Sequence, residues 1–469
     1  MSYITMRDIL ELQKKSFLSE GSPSYDIRVD RLSRCVALLR EYEDKIVKAL
    51  KLDFKSRSSD EIKISEIDQS IRNITFTIKN LKKWMKPRRR QSSFGAGFLG
   101  AKSVMQPSPL GSVGIIAPWN FPVGMIFYPA ASIFASGNRI MAKPSEITVH
   151  TANLMKEAVA KYFDETEFAI CLGGPKVGES FSKLHLDHLL YVGSNQIAKK
   201  VLANSSKNLV PTTLELGGKS PTIISDDANL HLAAKRILFA KTLNAGQICL
   251  APDYVFVKKG FEHSLINELK KVFDSFYPEK GQNDYTSMVN TEHFARINAC
   301  IEDAVSKGAN LINLGKFDTK DKNLITTKLL LNVSSKMEVM RQEIFGPILP
   351  ILSYENLEEV VNYINSHDRP LGLYFFGHRK KDHQYIIKNT RSGGVTFNDT
   401  VFHLLQSRLP FGGVGESGYG CYHGFEGFLN FSNLKSIYYQ TNHDSFFSLV
   451  RPPRGKYFKF VSSIMNKLS

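Results

Sequence analysis

Apolar positions recur at helical spacing in two stretches near the start of the chain. Over residues 31 to about 52, Leu32, Val36, Leu39, Ile46 and Leu50 fall on one face, and Ile67, Ile71, Ile74, Ile78 and Leu81 repeat the pattern. Two amphipathic helices are predicted. Residues 86–109, rich in basic residues, Ser and Gly, have no helical period and read as an extended arm or hairpin. Beyond Gly111, short β-rich runs at 113–116, 139–142, 168–171 and 189–192 alternate with stretches long enough for crossover helices. That alternation predicts a parallel α/β sheet. In such sheets ligands bind beyond the carboxyl ends of the strands. The residues found there are Pro118-Trp119-Asn120, Lys143-Pro144-Ser145-Glu146, Leu172-Gly173-Gly174-Pro175 and Gly193-Ser194. After Pro211 a second alternation, with strands at 222–224 and 254–257 and helices near 229–241 and 261–276, predicts a separate catalytic domain. The segment from Arg451 is short, basic and mixed with Phe and Tyr, a surface stretch or a partner contact.

A chain of 469 residues exceeds what one hydrophobic core supports, so two or three domains are expected. Its longest uncharged stretch, 103–138, is interrupted by Pro107, Pro109, Pro118, Pro122 and Pro129, which excludes a membrane span and leaves a buried strand with its loops. Arg7, Asp8, Glu11, Lys14 and Lys15 occupy the place where a signal peptide needs an apolar core, so a cytoplasmic location is expected. The five cysteines are scattered without a Cys-x-x-Cys pair, which fits a reducing compartment. The twelve histidines form no ligand cluster, so no metal is expected. The net charge of +16 attracts anions in general. The densest basic run, 82–90, has Trp84 alone in place of repeated aromatics. It reads as a solvated face, with no nucleic-acid partner and at most weak contact with a membrane surface.

Candidate chemistry centres on Cys249, approached through Asn244-Ala245-Gly246-Gln247-Ile248. These small and polar residues predict flexible backbone beside the sulfur, although a cysteine alone is more often a small buried hydrophobe. As a nucleophile it is expected as a thiolate, its pKa lowered by a helix start or a cation. Glu215, between two leucines and ahead of Gly217-Gly218, is either a general base or a solvent-facing residue on an edge strand. Asn120, between Pro118 and Pro122, is an amide donor for an oxyanion or a turn former.

Six ordered motifs carry a resemblance to the aldehyde dehydrogenase superfamily from about Gly111 to Tyr439: Pro118-Trp119-Asn120, Lys143-Pro144-Ser145-Glu146, Leu214-Glu215-Leu216-Gly217-Gly218-Lys219, Gly246-Gln247-Ile248-Cys249, Glu343-Ile344-Phe345-Gly346-Pro347 and Pro410-Phe411-Gly412-Gly413. Cys249-Leu250-Ala251-Pro252-Asp253-Tyr254, Gly412 to Gly418 and Tyr422-His423-Gly424 resemble its class 3, fatty-aldehyde and coniferyl-aldehyde branch. The resemblance implies an α/β fold with a Rossmann-type nucleotide-binding domain (1–85 and 107–211), a catalytic domain (212–411) and an oligomerisation arm with the C-terminal segment (86–106 and 425–445). It implies oxidation of a medium- to long-chain aliphatic or an aromatic, coniferyl-type aldehyde to the acid, with Cys249 as nucleophile, Asn120 as oxyanion donor and Glu215 as base. Relatives that acylate coenzyme A need no such base, so Glu215 points to hydrolysis.

For the cofactor, the resemblance assigns Trp119, Lys143 and Glu146, then Gly193, Ser194 and Ile197 at the pyrophosphate turn, and Glu343 and Phe345 at the nicotinamide ribose. Glu146 favours the free ribose hydroxyls of NAD, while the branch also admits NADP. Ala198 stands where many members have glycine. The arm and the segment 425–439 are implied to pair across a subunit boundary in a homodimer or a tetramer. Phe121, Met125, Phe402 and Leu404 are candidates for an apolar entrance, with core packing the equal alternative. The rival readings are a cysteine hydrolase, for which no papain-like signature surrounds Cys249, and a basic binding protein that has kept a dehydrogenase scaffold. Intact Asn120, Glu215 and Cys249 count against the latter.

Overall fold

A computed structural model describes residues 5–92, 97, 100–278, 284–315, 317, 321–442, 448 and 451–467. The first helix, Met6–Glu20, was not among those the apolar spacing predicts. Thr5 caps it by accepting from the Asp8 N–H, while Asp8 accepts from the Thr5 N–H, so two orphan donors are satisfied reciprocally. The apolar repeat over 31–52 spans two helices, Tyr25–Glu41 and Glu43–Phe54, which meet at Tyr42. Leu32, Leu39, Ile46 and Leu50 are all buried; the stripe continues although the helix does not. The next apolar repeat lies on Ser59–Ile62, a π-helical turn Lys63–Asp68 and the helix Gln69–Trp84.

The first sheet has six strands in the spatial order Gly418–Tyr419, Thr212–Glu215, His188–Val192, Ser112–Ile116, Arg139–Lys143 and Phe168–Ile170. All neighbours are parallel except the two-residue edge strand Gly418–Tyr419. From Ser112–Ile116 the chain builds outward on one side and then returns to build on the other. The crevice past the carboxyl end of that strand is therefore a topological switch point, the usual ligand site of such sheets. Thr212–Glu215 pairs with His188–Val192, so this sheet extends through Glu215, beyond the boundary at 211 expected from sequence.

The second sheet runs Asn310–Asn313, Lys328–Leu331, Ile348–Tyr354, Tyr254–Lys258, Pro221–Ile224, Gly372–Phe376 and Gly394–Phe397, parallel except at the first pair. Helices Leu230–Thr242 and Glu262–Phe276 match the helical spacing read near 229–241 and 261–276.

A third, antiparallel sheet joins Arg88–Arg90, Lys102–Pro109 and Ser432–Tyr439. Lys102–Pro109 pairs with Ser432–Tyr439 of the same chain, from Ser432 opposite Pro109 to Tyr439 opposite Lys102, so the arm and the C-terminal segment form one sheet within the chain. The cause is the helix Gly424–Asn430, which ends with Phe428 and Phe431 fully buried and so delivers the strand to that edge. Positions 93–96 and 98–99 of the expected arm and 443–445 of the expected C-terminal segment lie outside the described residues. A helix, Phe458–Lys467, occupies the basic C-terminal stretch. Among the described residues no helix is long and apolar enough to cross a membrane.

Candidate active site

A cleft of about 930 Å³ opens at the switch point. It is lined by all eleven residues predicted from sequence: Trp119, Asn120, Lys143, Glu146, Gly193, Ser194, Ile197, Glu215, Cys249, Glu343 and Phe345. Phe121 and Met125 also line it, whereas Phe402 and Leu404 do not. His293 and Arg296 complete the wall. Sequence reading missed both, because they sit on the helix Thr291–Ser306, far in the chain from any motif. His293 packs against the Trp119 ring at 4.6 Å, and Phe345 meets the same ring edge-on at 5.3 Å.

One arm of the cleft suits a dinucleotide. Ser194 begins the helix Asn195–Ser205 without a side-chain cap, which leaves backbone N–H groups at the positive end of the helix for an anion. Lys143, almost wholly enclosed, pairs with the carboxylate of the more exposed Glu146, an arrangement that offers a donor and an acceptor to a ribose. Glu343 is half-buried, and its Oε1 is shut off from solvent without a partner; a ligand hydroxyl would satisfy it. These orphan donors and acceptors fit a nicotinamide dinucleotide.

The cysteine end of the cleft is built on strain. Asn244, Ala245 and Gly246 have φ values of 48°, 52° and 73°, a left-handed run that costs non-glycine residues on the order of 1–3 kcal/mol each. The expectation of flexible backbone here is corrected, because the turn is clamped. The Gln247 amide donates to the carbonyls of Asn244 (2.9 Å) and Ser287 (3.2 Å), and its oxygen accepts from the Val289 N–H at 3.0 Å. A Cβ on Gly246 would lie 2.6 Å from the Gly346 carbonyl, so glycine lets the Glu343 loop close on the cysteine turn. Asn120 Nδ2 donates to the Gln247 carbonyl at 3.0 Å. Its side-chain amide is thereby fixed beside the turn that leads to Cys249.

Cys249 is half-buried, and its thiol is pushed up from the usual range, first by burial and then by the carboxylates of Glu343 and Glu215. Against these, the backbone N–H groups of Cys249 and Leu250 pull the thiol pKa down, the direction expected of a nucleophilic cysteine. Glu215 is only 4% exposed, which rules out the solvent-facing alternative. Both its carboxylate oxygens are enclosed without a partner, and burial raises its pKa well above the ordinary value. Glu343 is pushed up to about 8, chiefly by burial and then by Asp253. Two carboxyls with raised pKa values thus lie near the Cys249 thiol.

Residues 16–437 match the aldehyde dehydrogenase family. The chain belongs to that family. The probable coniferyl aldehyde dehydrogenase of Caulobacter vibrioides is 43% identical over 96% of this chain and 94% of its own length. Aldehyde dehydrogenase family 3 member A2 of Mus musculus is 35% identical over 92% of this chain and 87% of its own. These relatives fall in the branch that the motifs resemble. The solved substrate-bound state of Staphylococcus aureus AldH superposes with a TM-score of 0.92 at 34% identity, covering 98% of this chain and 99% of that one. The enzyme is an NAD(P)-dependent aldehyde dehydrogenase.

Proposed function

We propose that the enzyme oxidises an aromatic, coniferyl-type aldehyde, or a medium- to long-chain aliphatic one, to its carboxylic acid through a thioester on Cys249. The observation that carries this reading is one cleft holding the Cys249 thiol, the clamped Asn120 amide and the unpartnered Glu215 carboxyl. The name of the Caulobacter vibrioides relative supports the aromatic choice, and Phe121 and Met125 supply an apolar lining.

The Cys249 sulfur forms a bond to the aldehyde carbon while its proton is released to water in the open cleft. The carbonyl electrons move onto oxygen. That oxyanion is met by the second Asn120 Nδ2 hydrogen and the Cys249 backbone N–H, donors of a kind worth roughly 10²–10³ in turnover each. A bound nicotinamide dinucleotide supplies the acceptor for the hydride, and a Cys249 thioester is what remains on the chain. Glu215 then takes a proton from the water whose oxygen attacks the thioester carbon, and the sulfur departs. Burial raises the pKa of Glu215 above the ordinary carboxylate range, which makes it a stronger base. Lys143 and Glu146 would hold the adenosine ribose of NAD, with NADP admitted less well because the Glu146 carboxylate repels a 2′-phosphate. A homodimer is part of this reading: Ser432–Tyr439 is an edge strand with Leu434, Tyr438 and Tyr439 exposed, and a second copy would cover them.

A panel of aromatic and aliphatic aldehydes with NAD and with NADP, read by absorbance of the reduced cofactor, tests the proposal. Cys249→Ala is expected to abolish reduction. Glu215→Gln is expected to retain a single-turnover burst and lose steady-state acid release; an unchanged steady state removes Glu215 from the role of base.

A further inference from the structure

Arg57 has no place in the chemistry above, yet its side chain is fully enclosed and each of its contacts leads toward the catalytic turn. Nη1 donates to the backbone carbonyl of Asn120 at 3.2 Å and to Glu66 Oε1 at 3.2 Å, and Nε donates to Glu61 Oε1 at 3.2 Å. The two carboxylates pass the connection on. Glu61 Oε2 accepts from the Asn244 backbone N–H at 3.1 Å, at the first left-handed residue of the strained turn. Glu66 Oε2 accepts from the N–H groups of Val123 (3.1 Å) and Gly124 (2.7 Å), at the start of the helix Gly124–Ala135. Asn244 Nδ2 closes the circuit by donating to the same Asn120 carbonyl at 3.1 Å. The Phe54 and Phe121 rings lie 4.8 and 5.1 Å from the guanidinium carbon and keep it dry.

We infer that Arg57 is a positioning residue for aldehyde oxidation: with Glu61 and Glu66 it fixes the Trp119-Asn120 loop against the Asn244–Gly246 turn, and so sets the gap between the Asn120 amide and the Cys249 N–H. The inference rests on the proposed roles of Asn120 and Cys249. An arginine that merely stapled helices together would have acceptors anywhere along them. Here the acceptors are the backbone of the amide donor itself and a carboxylate that holds the cysteine turn. The π-helical turn Lys63–Asp68 serves the same end, since its extra residue swings Glu66 to a fully buried position; such turns concentrate at functional sites. A lysine would neutralise one carboxylate. Its single ammonium cannot reproduce the planar fork that reaches two carboxylates and a carbonyl at once.

The test is a double-mutant cycle on the full-length enzyme with an aldehyde that the wild type oxidises. Arg57→Lys is expected to lower kcat at least tenfold, while the KM for NAD stays within about twofold. In an Asn120→Ala background the same change is expected to cost less than twofold, because the donor through which Arg57 acts is gone. Unchanged kcat in Arg57→Lys, or the full loss repeated in the Asn120→Ala background, overturns the inference. Should Arg57→Lys fail to fold, Glu61→Gln in both backgrounds gives the same sub-multiplicative pattern or refutes it. If Cys249→Ala or Asn120→Ala keeps wild-type turnover, it is the reading of the active site that fails. Their inactivity beside a fully active Arg57→Lys removes only the role of Arg57.

Discussion

Replacing Glu343 by glutamine separates the electrostatic cost of the cleft from its use. The carboxyl is pushed from 4.5 to about 8 by burial and by Asp253. Between those values the folded chain holds a proton that the unfolded chain has released, so its contribution to stability falls as pH rises through the window. A shift of that size corresponds to on the order of 5 kcal/mol for a fully enclosed group, and to about 3 kcal/mol once the partial exposure of Glu343 is taken into account. Glu343→Gln removes the penalty. For a chain of 469 residues the unfolding entropy is roughly 1 kcal/mol per kelvin, so the variant is expected to gain about 3 °C in thermal midpoint over wild type at pH 9 and almost nothing at pH 4.5. The assay is a thermal denaturation series across that range, paired with the KM for NAD. Wild-type KM is expected to fall as pH passes about 8 and the carboxylate forms to accept from a ribose hydroxyl, while the KM of Glu343→Gln stays flat. A stability difference that does not change with pH refutes the account of the buried carboxyl, and parallel KM profiles refute its contact with cofactor.

Four other substitutions probe separate parts of the site. Asn120→Ala is expected to lower kcat roughly 10²–10³-fold with the KM for NAD little changed, measured by steady-state kinetics. Gln247→Leu removes three hydrogen bonds and strands their partners in the interior; about 2–3 kcal/mol of lost stability and a lower melting midpoint are expected, together with loss of turnover. Gly246→Ala forces a Cβ to within 2.6 Å of the Gly346 carbonyl at a φ of 73°, so activity is expected to fall even under conditions where the variant remains folded by circular dichroism. Glu146→Gln removes the carboxylate that opposes a 2′-phosphate, and kcat/KM with NADP is expected to rise relative to that with NAD.

What the sequence discloses follows from how local each cause is. Strands such as Ser112–Ile116 and His188–Val192 were legible because buried parallel strands are short apolar runs bounded by turn residues. The cleft-lining residues were legible because they follow those runs directly. The Met6–Glu20 helix carried a local signal of its own, Thr5 followed by Asp8, which apolar spacing passes over. The break at Tyr42 leaves the buried stripe intact and so makes no mark on the periodicity. The pairing of Ser432–Tyr439 with Lys102–Pro109 joins segments more than three hundred positions apart, and the buried Phe428 and Phe431 that lead into it leave no local periodicity to announce it.

The same distinction bears on the surroundings of Cys249. A sulfur after small polar residues suggests openness, but openness is a property of what packs around a turn. Here Gln247, Asn244 and Asn120 close on one another, and the thiol lies near the carboxyls of Glu343 and Glu215. Arg57, Glu61 and Glu66, which hydrogen-bond around Asn120 and Asn244, carry no motif in the sequence. They become part of the site only because the π-helical turn rotates Glu66 inward and the guanidinium finds the Asn120 carbonyl. Burial and the neighbouring carboxyls raise the thiol pKa, so a ligand that offsets them raises its reactivity. An aldehyde oxygen held by the Asn120 amide and the Cys249 N–H is such a change: it stabilises the charge that leaves sulfur as the new bond forms. On this physical argument the nucleophile is activated by substrate in place, and the rate of Cys249 alkylation by a neutral reagent is expected to be slow in the free enzyme. Rapid alkylation at neutral pH, comparable to that of an exposed low-pKa thiolate, would refute it.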